Sequence, residues 1–348
     1  MTTMSDSSTA PRPTMKDVAK LAGVSLKTVS RVVNDEPNVS PELIERVNVA
    51  AKQLDYRPNF TASNLRRSER STRTVGLLLE NVANPFSAAL LRAIEDVARS
   101  HGVAVVSASV DEDPDRERQL AQTFLSRQVD GLIIAPAPGN HAYLARELEM
   151  GTPIVFVDRP PTGLDADTVS SENREGAYQG VSHLLANGHR DIAFLSDLIS
   201  IPTAADRLSG YRRALAEAGV TPDPAHVVFD LPSSEAAEAA VRRLMLSHDP
   251  PTALFTAQNL ITIGAVRALR ALDLHKRVAL IGFDEFLLSD LLDPPVSVVE
   301  QNIYAMGQRA AAMLFERLQG TRTGSGQHVR IPVTLLNRAS GDIPPPPA

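Results

Sequence analysis

Residues 14–67 read TMKDVAKLAGVSLKTVSRVVNDEPNVSPELIERVNVAAKQLDYRPNFTASNLRR, and this stretch decides how the rest of the chain is interpreted. A first helix is predicted over residues 15–22, with Thr14 as its cap. Gly23 suits the tight turn that ends this helix, because glycine readily adopts positive φ. Ser25 caps a second helix, and a Ser-Pro-Glu sequence starts a third. Short helices joined by a turn around glycine predict a helix-turn-helix.

The second predicted helix presents side chains that suit DNA. Its helical spacing turns Val29 inward and leaves Lys27, Ser30 and Arg31 on an outer face. Cationic and hydroxyl side chains of this kind hydrogen-bond base edges and phosphates. Alternatively, the same three helices could form a small helical domain that binds another protein.

The charge distribution favours the DNA interpretation. The first 73 residues hold 12 Lys and Arg against 8 Asp and Glu, whereas the remainder holds 23 against 33. The net charge of −6 therefore combines a basic N-terminal head with an acidic body. Such a split is expected of a protein that binds nucleic acid through one end.

The N-terminal motifs closely resemble those of the lactose repressor/galactose repressor family. The segments that carry the resemblance are KDVAKLAGVS, TVSRVVN, NVSPELIERV and LDYRPN, followed by Leu65. The resemblance extends from Thr14 to about Ser340. It implies an all-α helix-turn-helix head and a two-lobed α/β body similar to periplasmic binding proteins.

The resemblance also implies roles for individual residues of the head. Three residues would read the major groove, namely Leu26, Lys27 and Arg31. Those that would hold phosphates are Thr14, Ser25, Thr28, Ser30, Asn34 and Ser40. Residues 59–66 resemble a hinge helix that folds on DNA, with Asn59 as a plausible cap. Ala62 would let two such helices approach, and Leu65 would wedge into the minor groove, a known way to kink a duplex. Ser63 departs from the Arg or Gln often found there.

From Thr74 onward, short apolar runs alternate with stretches that suit helices. The runs are VGLLLE, VAVVSA, GLIIAP, IVFVD, IAFLS, VVFD, ALFTA and VALIGFD. This alternation predicts parallel sheets covered on both faces, in two doubly wound lobes that divide near residue 170. The resemblance implies three crossings between the lobes, near Ser170, Gln301 and Val329.

The predicted layout has five parts along the chain. They are a disordered tail (1–13), the helix-turn-helix (14–58), a hinge and linker (59–73), an effector-binding and dimerisation body (74–340) and a second disordered tail (341–348). Within the body, lobe 1 covers about 74–170 and 302–328, and lobe 2 covers about 171–301 and 329–340.

Ligands of open parallel sheets bind beyond the carboxyl ends of the strands, and polar residues gather there. The candidate effector contacts are Asn84, Phe86, Asp158, Arg159, Asn173, Thr203, Arg207, Asn259, Asp284 and Gln301. Carboxylates, guanidinium groups and an aromatic face suit a small polyhydroxylated ligand, most simply a sugar. Each residue also has a structural alternative: the aspartates could cap helices, Phe86 could be core, and Arg207 could form an ion pair.

Three departures from the family pattern affect this site. The family often has Asp where Asn259 stands, Asp-Asn where Glu172-Asn173 stands, and Gln-Pro where Gln301-Asn302 stands. The segments DRLSGY and LIGFDEF match the family around Arg207 and Asp284.

Other classes of protein fit the sequence less well. It contains no GxGxxG after the first strand of either lobe, no phosphate-binding GxxxxGK and no GxSxG. Cleft carboxylates could act as a glycosidase pair, and the body alone could be a secreted sugar-binding protein. The first 13 residues lack an apolar run, and no stretch approaches the roughly 18 apolar residues of a membrane span. With no cysteine, the chain is expected to be cytoplasmic, without cofactor or metal.

The sequence therefore predicts a homodimeric transcriptional repressor that binds pseudo-palindromic operator DNA. Its activity is expected to respond to a small effector, most simply a carbohydrate. The helix at 304–318 carries Ala and Gly on one face, which is expected to contribute to the interface between two bodies.

Overall fold

The computed structural model describes residues 13–33, 37, 39–56 and 71–347. The chain divides into two compact units, Met1–Thr72 and Arg73–Ala348, here called the head and the body. The predicted contacts of Asn34, Asn59, Ala62 and Leu65 lie outside the described residues, as do residues 1–12 and most of the predicted hinge.

The head contains three helices packed on a small apolar core. They are α1 (Met15–Ala22), α2 (Leu26–Val33) and α3 (Pro41–Gln53). Val18, Val29 and Val47, one from each helix, are fully buried against one another. Gly23 has φ of 63°, which the turn between α1 and α2 requires and which glycine adopts without strain. The helix-turn-helix prediction is therefore confirmed.

Lobe 1 of the body is a six-stranded parallel sheet with helices on both faces. Its strands are β1 (Thr74–Leu79), β2 (Ala104–Ser109), β3 (Gly131–Ile134), β4 (Ile154–Asp158), β5 (Asp167–Ser171) and β11 (His328–Ile331). Its helices are α4 (Pro85–Ser100), α5 (Pro114–Ser126), α6 (Ala145–Glu149) and α11 (Ile303–Leu318). The strand order is β11-β5-β4-β3-β1-β2. The adjacent residues Leu77 and Leu78 belong to two different hydrophobic cores, one on each face of the sheet, because side chains alternate along a strand.

Lobe 2 is a second six-stranded sheet with helices on both faces. Its strands are β6 (Ile192–Leu195), β7 (Val227–Val228), β8 (Ala253–Thr256), β9 (Ala279–Phe283), β10 (Ser297–Gln301) and β12 (Val333–Leu336). The strand order is β12-β10-β9-β8-β6-β7. Its helices are α7 (Asn173–Ala186), α8 (Pro202–Glu217), α9 (Ser234–Met245) and α10 (Asn259–Ala271). Phe194 and Phe255 pack under α7 and α8, whereas Ala193 and Leu254 pack under α9 and α10.

The last crossing between the lobes lies at Pro332, three residues beyond the predicted position at Val329. Strand β11 runs to Ile331 beside β5, and β12 begins at Val333 beside β10. Proline has no N–H to donate to either ladder, so it suits the point where the chain changes sheets. The chain enters lobe 2 beside the last residue of β10. Strand β12 therefore runs back along β10 and pairs with it in the antiparallel direction. The prediction of parallel pairing holds for the other strand pairs and is wrong for this one.

Close helix packing in lobe 2 brings the first turn of α7 against the middle of α8. A Cβ atom on Gly210 would lie 2.1 Å from the carbonyl oxygen of Arg174, so α8 approaches α7 at backbone distance. Gly264 has the same role between α9 and α10, with the carbonyl oxygen of Ser234 at 2.3 Å. These glycines therefore allow the two helices of each pair to pack closely.

The face of α11 that carries Gly and Ala is buried within lobe 1 and is not exposed at the surface. Gly307 lies against α4, where an added Cβ would be 2.6 Å from Ala93. Ala310 and Ala311 are fully buried in the same core. Because α4 covers these residues, they are not available to an interface between two bodies, and a contribution of the rest of α11 to such an interface stays a prediction.

The tail that is predicted to be disordered from residue 341 makes specific contacts through its first three residues. The carbonyl oxygen of Ile343 is 2.8 Å from His189 Nε2, and Asn187 donates to the carbonyl of Gly341 at 3.0 Å. His183 contacts the carboxylate of Asp342 at 2.8 Å. Polar groups at the end of α7 thus hold a segment that its proline-rich sequence alone would leave extended. Over the described ranges, no helix is long and apolar enough to span a membrane.

Candidate functional sites

A cleft opens where the carboxyl ends of both sheets face each other in the body. It encloses about 630 Å³, counting the space that opens to solvent. Eight of the ten predicted contacts line it, namely Asn84, Phe86, Asp158, Arg159, Thr203, Arg207, Asp284 and Gln301.

Two aspartates occupy equivalent positions in the two lobes. Asp158 ends β4 with φ of 71°, and Asp284 follows β9 with φ of 72°. Non-glycine residues adopt this left-handed region at an energetic cost, and such strain concentrates at binding sites. Their carboxylates accept hydrogen bonds from Arg159 and Gln301, respectively, so neither serves simply as a helix cap.

Arg207 is held from several directions in lobe 2. Its Nε donates to Asn173 Oδ1 at 2.8 Å, and its Nη1 donates to the carbonyl of Ala257 at 2.5 Å. Its guanidinium carbon lies 3.8 Å above the centre of the Phe283 ring, and Nη1 is 3.9 Å from the carboxylate of Asp284. Burial lowers the pKa of Arg207 and raises the pKa of Asp284, so both charged forms lack solvation that a polar ligand can supply.

The remaining two predicted contacts do not line this cavity. Asn173 begins α7 and orients Arg207 through the hydrogen bond described above. Asn259 begins α10 and donates to Asn84 Oδ1 of lobe 1 at 3.0 Å. Asn259 is buried. Its hydrogen bond to Asn84 joins the two lobes across the cleft, a role that its sequence position did not indicate.

The sequence interpretation missed three carboxylates that line the cavity: Glu80, Glu112 and Asp197. Glu80 directly follows β1, and Asp197 comes two residues after β6, so the strand-end rule could have found both. Burial raises the pKa of all three, and Glu112 adds to the effect at Glu80, whose pKa reaches about 7. Arg159 donates to Glu112 at 2.9 Å. Burial alone lowers the pKa of Arg159, but Asp158 and Glu112 outweigh burial and raise it.

Glu80→Gln is expected to stabilise the body at about pH 8 and to have little effect at about pH 5. The ordinary pKa of 4.5 rises to about 7 in the folded protein, so folding favours the protonated carboxyl. That contribution is present below pH 4.5 and is lost as the pH rises through about 7. Glutamine resembles the protonated form, so a gain in Tm of about 2–4 °C is expected only at the higher pH.

Thermal melts at both pH values, with exposed Glu149→Gln as the matched control, measure this difference. An equal shift of Tm at both pH values would contradict the raised pKa.

In the head, the outer face of α2 carries the predicted DNA contacts. Leu26, Lys27 and Ser25 are exposed, and Thr28, Ser30 and Arg31 are partly exposed. Ser25 Oγ accepts from the backbone N–H of Thr28 at 3.1 Å, so Ser25 caps α2 as predicted. Arg31 donates to the carbonyl of Pro37 at 2.7 Å, which holds its side chain against that residue.

The other two described candidates begin helices at the head's surface. The backbone N–H and hydroxyl of Thr14 both donate to the Asp17 carboxylate, at 2.8 and 2.7 Å. Exposed Ser40 precedes α3. In the ranges that the structure covers, no group of three or more His, Cys, Asp or Glu side chains could hold a metal ion.

A helix-turn-helix followed by a two-lobed body with a polar cleft defines a ligand-responsive DNA-binding regulator. The sequence model described as periplasmic binding proteins and sugar binding domain of the LacI family matches residues 72–339. The model described as bacterial regulatory proteins, lacI family, matches residues 14–59. The chain therefore belongs to the LacI family of bacterial regulators, which is the lactose repressor/galactose repressor family.

Individual relatives agree with this assignment over nearly their whole lengths. The chain is 31% identical to the ribose operon repressor of Haemophilus influenzae, covering 94% of this chain and 98% of that protein. It is 30% identical to the HTH-type transcriptional repressor PurR of Aliivibrio salmonicida, covering 88% and 92%. The crystal structure of the lac repressor dimer bound to operator and the anti-inducer ONPF superimposes with a TM-score of 0.82 at 27% identity, covering 95% and 99%. The protein is thus a DNA-binding transcription regulator and not an enzyme.

Proposed function

We propose that this protein is a homodimeric repressor that binds operator DNA in the bacterial cytoplasm and is controlled by a small polyhydroxylated metabolite. The observation that carries the effector site is the convergence of Arg207 and Asp284 with Asp158 and Arg159 in one cleft between two lobes. Such side chains make paired hydrogen bonds to neighbouring hydroxyl groups. The lac repressor relative, a dimer on its operator, supports the same arrangement for this chain.

The head supplies the proposed contacts to DNA. Leu26, Lys27 and Arg31 would reach base edges in the major groove, since they lie on the outer face of α2. The hydroxyl residues at the helix starts would hold phosphates, with Thr14, Ser25 and Ser40 each next to a helix N-terminus.

Control by the effector is proposed to work through the relative position of the two lobes. The hydrogen bond between Asn84 and Asn259 joins them in this structure. A ligand that contacts both lobes favours one arrangement, and DNA that favours another is then bound less tightly. By linkage, the DNA weakens ligand binding by the same factor.

Selection from a randomised DNA library tests this function. The full-length protein is expected to enrich one inverted repeat, because a two-fold dimer reads two equivalent half-sites. Sedimentation at micromolar concentration should give the mass of two chains. A sugar from a panel that raises the Tm should also change the affinity for the enriched DNA, and a ligand at 100 times its Kd stabilises by roughly 2.7 kcal/mol. Failure to enrich any sequence, or a monomer on the enriched DNA, would contradict the proposal.

A further inference from the structure

The cavity in the cleft carries an excess of negative charge. Five carboxylates line it, namely Glu80, Glu112, Asp158, Asp197 and Asp284, whereas the lining includes only two guanidinium groups, those of Arg159 and Arg207. Even with Glu80 protonated, the carboxylates outnumber the cations. A buried site of this kind repels an anionic ligand and attracts a cationic one.

The two arginines are engaged by three of these carboxylates. Arg159 pairs with Asp158 at 3.1 Å and with Glu112 at 2.9 Å. Arg207 lies 3.9 Å from Asp284 and also contacts Asn173 and Ala257. Both arginines therefore form their ion pairs with these three carboxylates, while the charge of Arg159 also favours the ionised forms of Glu80 and Asp197.

Among the described residues, Glu80 and Asp197 are the lining carboxylates that form no salt bridge and accept hydrogen bonds from neutral donors only. Glu80 accepts from the Asn84 amide at 3.3 Å. Asp197 accepts from the backbone N–H of Leu198 at 2.7 Å and from the Gln258 amide at 3.4 Å. Glu80 belongs to lobe 1 and Asp197 to lobe 2, and their charges are close enough for Asp197 to raise the pKa of Glu80. A ligand cation between them would relieve this repulsion and join the lobes.

Two buried polar atoms in the same lining point to a ligand independently of charge. Within the part of the chain that the structure describes, Ser196 Oγ and Gln301 Oε1 have no hydrogen-bond partner. Ser196 is 1% exposed and Gln301 is 5% exposed, and both line the cavity. An unpaired buried polar group is destabilising, so a ligand that forms hydrogen bonds here is favoured. Gln301 Oε1 is an acceptor and therefore requires a donor.

We infer that the effector is a polyhydroxylated amine, such as an amino sugar, whose ammonium group binds between Glu80 and Asp197. Its hydroxyl groups would bond Arg207, Asp284 and Gln301 at the other side of the cavity. An ammonium group supplies three hydrogen-bond donors and a positive charge, which offset the excess of carboxylates over cations in the lining. A neutral sugar would leave the acceptor excess in place. This inference rests on the proposed function and specifies the class of ligand that the same cleft binds.

Matched ligands isolate the contribution of the amine. Glucosamine, galactosamine and mannosamine are each titrated calorimetrically against the full-length protein, beside the parent sugar and the N-acetyl derivative. The N-acetyl group keeps the nitrogen and removes its charge. At least one amine is expected to bind about tenfold or more tightly than both of its neutral counterparts, since one charge contact is worth that much at partly screened distances.

Variants of the two acidic residues locate the ammonium. Glu80→Gln and Asp197→Asn preserve shape and should each remove most of the preference for the amine, while affinity for the parent sugar changes little. Glu149→Gln, the same substitution at an exposed position of α6, should retain the full preference. Because both cleft variants remove a charge whose burial is unfavourable, they are expected to fold, and their Tm values check this.

Three outcomes would overturn the inference. They are equal affinity for an amine and its parent sugar, no binding of any amine at millimolar concentration, and full preference in both cleft variants. A neutral sugar that binds and alters DNA affinity would leave the proposed function intact while excluding the amine. Failure to select any DNA sequence would instead contradict the proposed function, whatever binds in the cleft.

Discussion

Arg207→Lys is expected to weaken effector binding by about 2–5 kcal/mol, a loss of at least roughly 30-fold in affinity. Lysine keeps the positive charge but replaces a planar fork of donors with a single nitrogen. In this structure the fork bonds Asn173 and Ala257 at once and stacks on Phe283. A lysine cannot maintain these contacts and also present donors to a ligand. Calorimetric titration with the tightest-binding sugar or amine of the panel measures the loss.

The head is a separate unit, so DNA selection by Arg207→Lys should remain near wild type. The repressed state should then persist at effector concentrations that release the wild-type protein. Arg213→Lys is the matched control, because it makes the same substitution on the same helix. Arg213 lies at the surface, paired with Glu175 and Glu217, and its replacement should change neither property. Asp284→Asn should behave like Arg207→Lys. Unchanged effector affinity in both cleft variants would disprove the assignment of the site.

Arg31→Ala is expected to cost about 1–3 kcal/mol of binding to the selected operator and much less on random DNA. A guanidinium group that reads a base edge contributes to specificity, whereas one that holds phosphate contributes equally to every sequence. The contact with the Pro37 carbonyl orients Arg31 before DNA binds, which reduces the conformational entropy lost on binding. Affinities for both DNAs, measured at a single salt concentration, give the ratio that tests this role.

Lys52→Ala provides a control for the loss of a positive charge from the head. Lys52 is an exposed residue in the last turn of α3, away from α2 in sequence. Its removal should change both affinities slightly and by the same factor. If Arg31→Ala also lowers both affinities equally, Arg31 contacts phosphate only, and base reading falls to Leu26 and Lys27.

Local patterns in the sequence were sufficient for the head and for the type of body. Thr14, Gly23 and Ser25 mark helix starts and stops through the hydrogen bonds and backbone angles of single turns. Runs such as VGLLLE mark buried strands because both faces of a parallel sheet are covered. The strand-end rule found Arg207 and Asp284 for the same reason, since a parallel sheet brings all its carboxyl ends to one edge.

Features that depend on contacts distant in sequence were not accessible in this way. The tail beyond Ser340 is ordered by His189 and Asn187, some 150 residues earlier, and nothing in its own proline-rich sequence indicates these partners. The Ala and Gly face of α11 could equally have met a second chain or α4, because small residues permit close approach without specifying the neighbour.

By itself, the sequence determined that this protein has a DNA-reading head, two lobes built mainly on parallel strands, and a polar cleft, because each of these follows from periodicity and turn chemistry within a few residues. Only the tertiary structure decided which carboxylates share the cavity and which hydrogen bond joins the two lobes. Glu80, Glu112 and Asp197 belong to separate strand ends, and their mutual repulsion and raised pKa values arise from burial in one cavity. The bond between Asn84 and Asn259 spans 175 positions and two lobes, so it exists only once both sheets have folded and met.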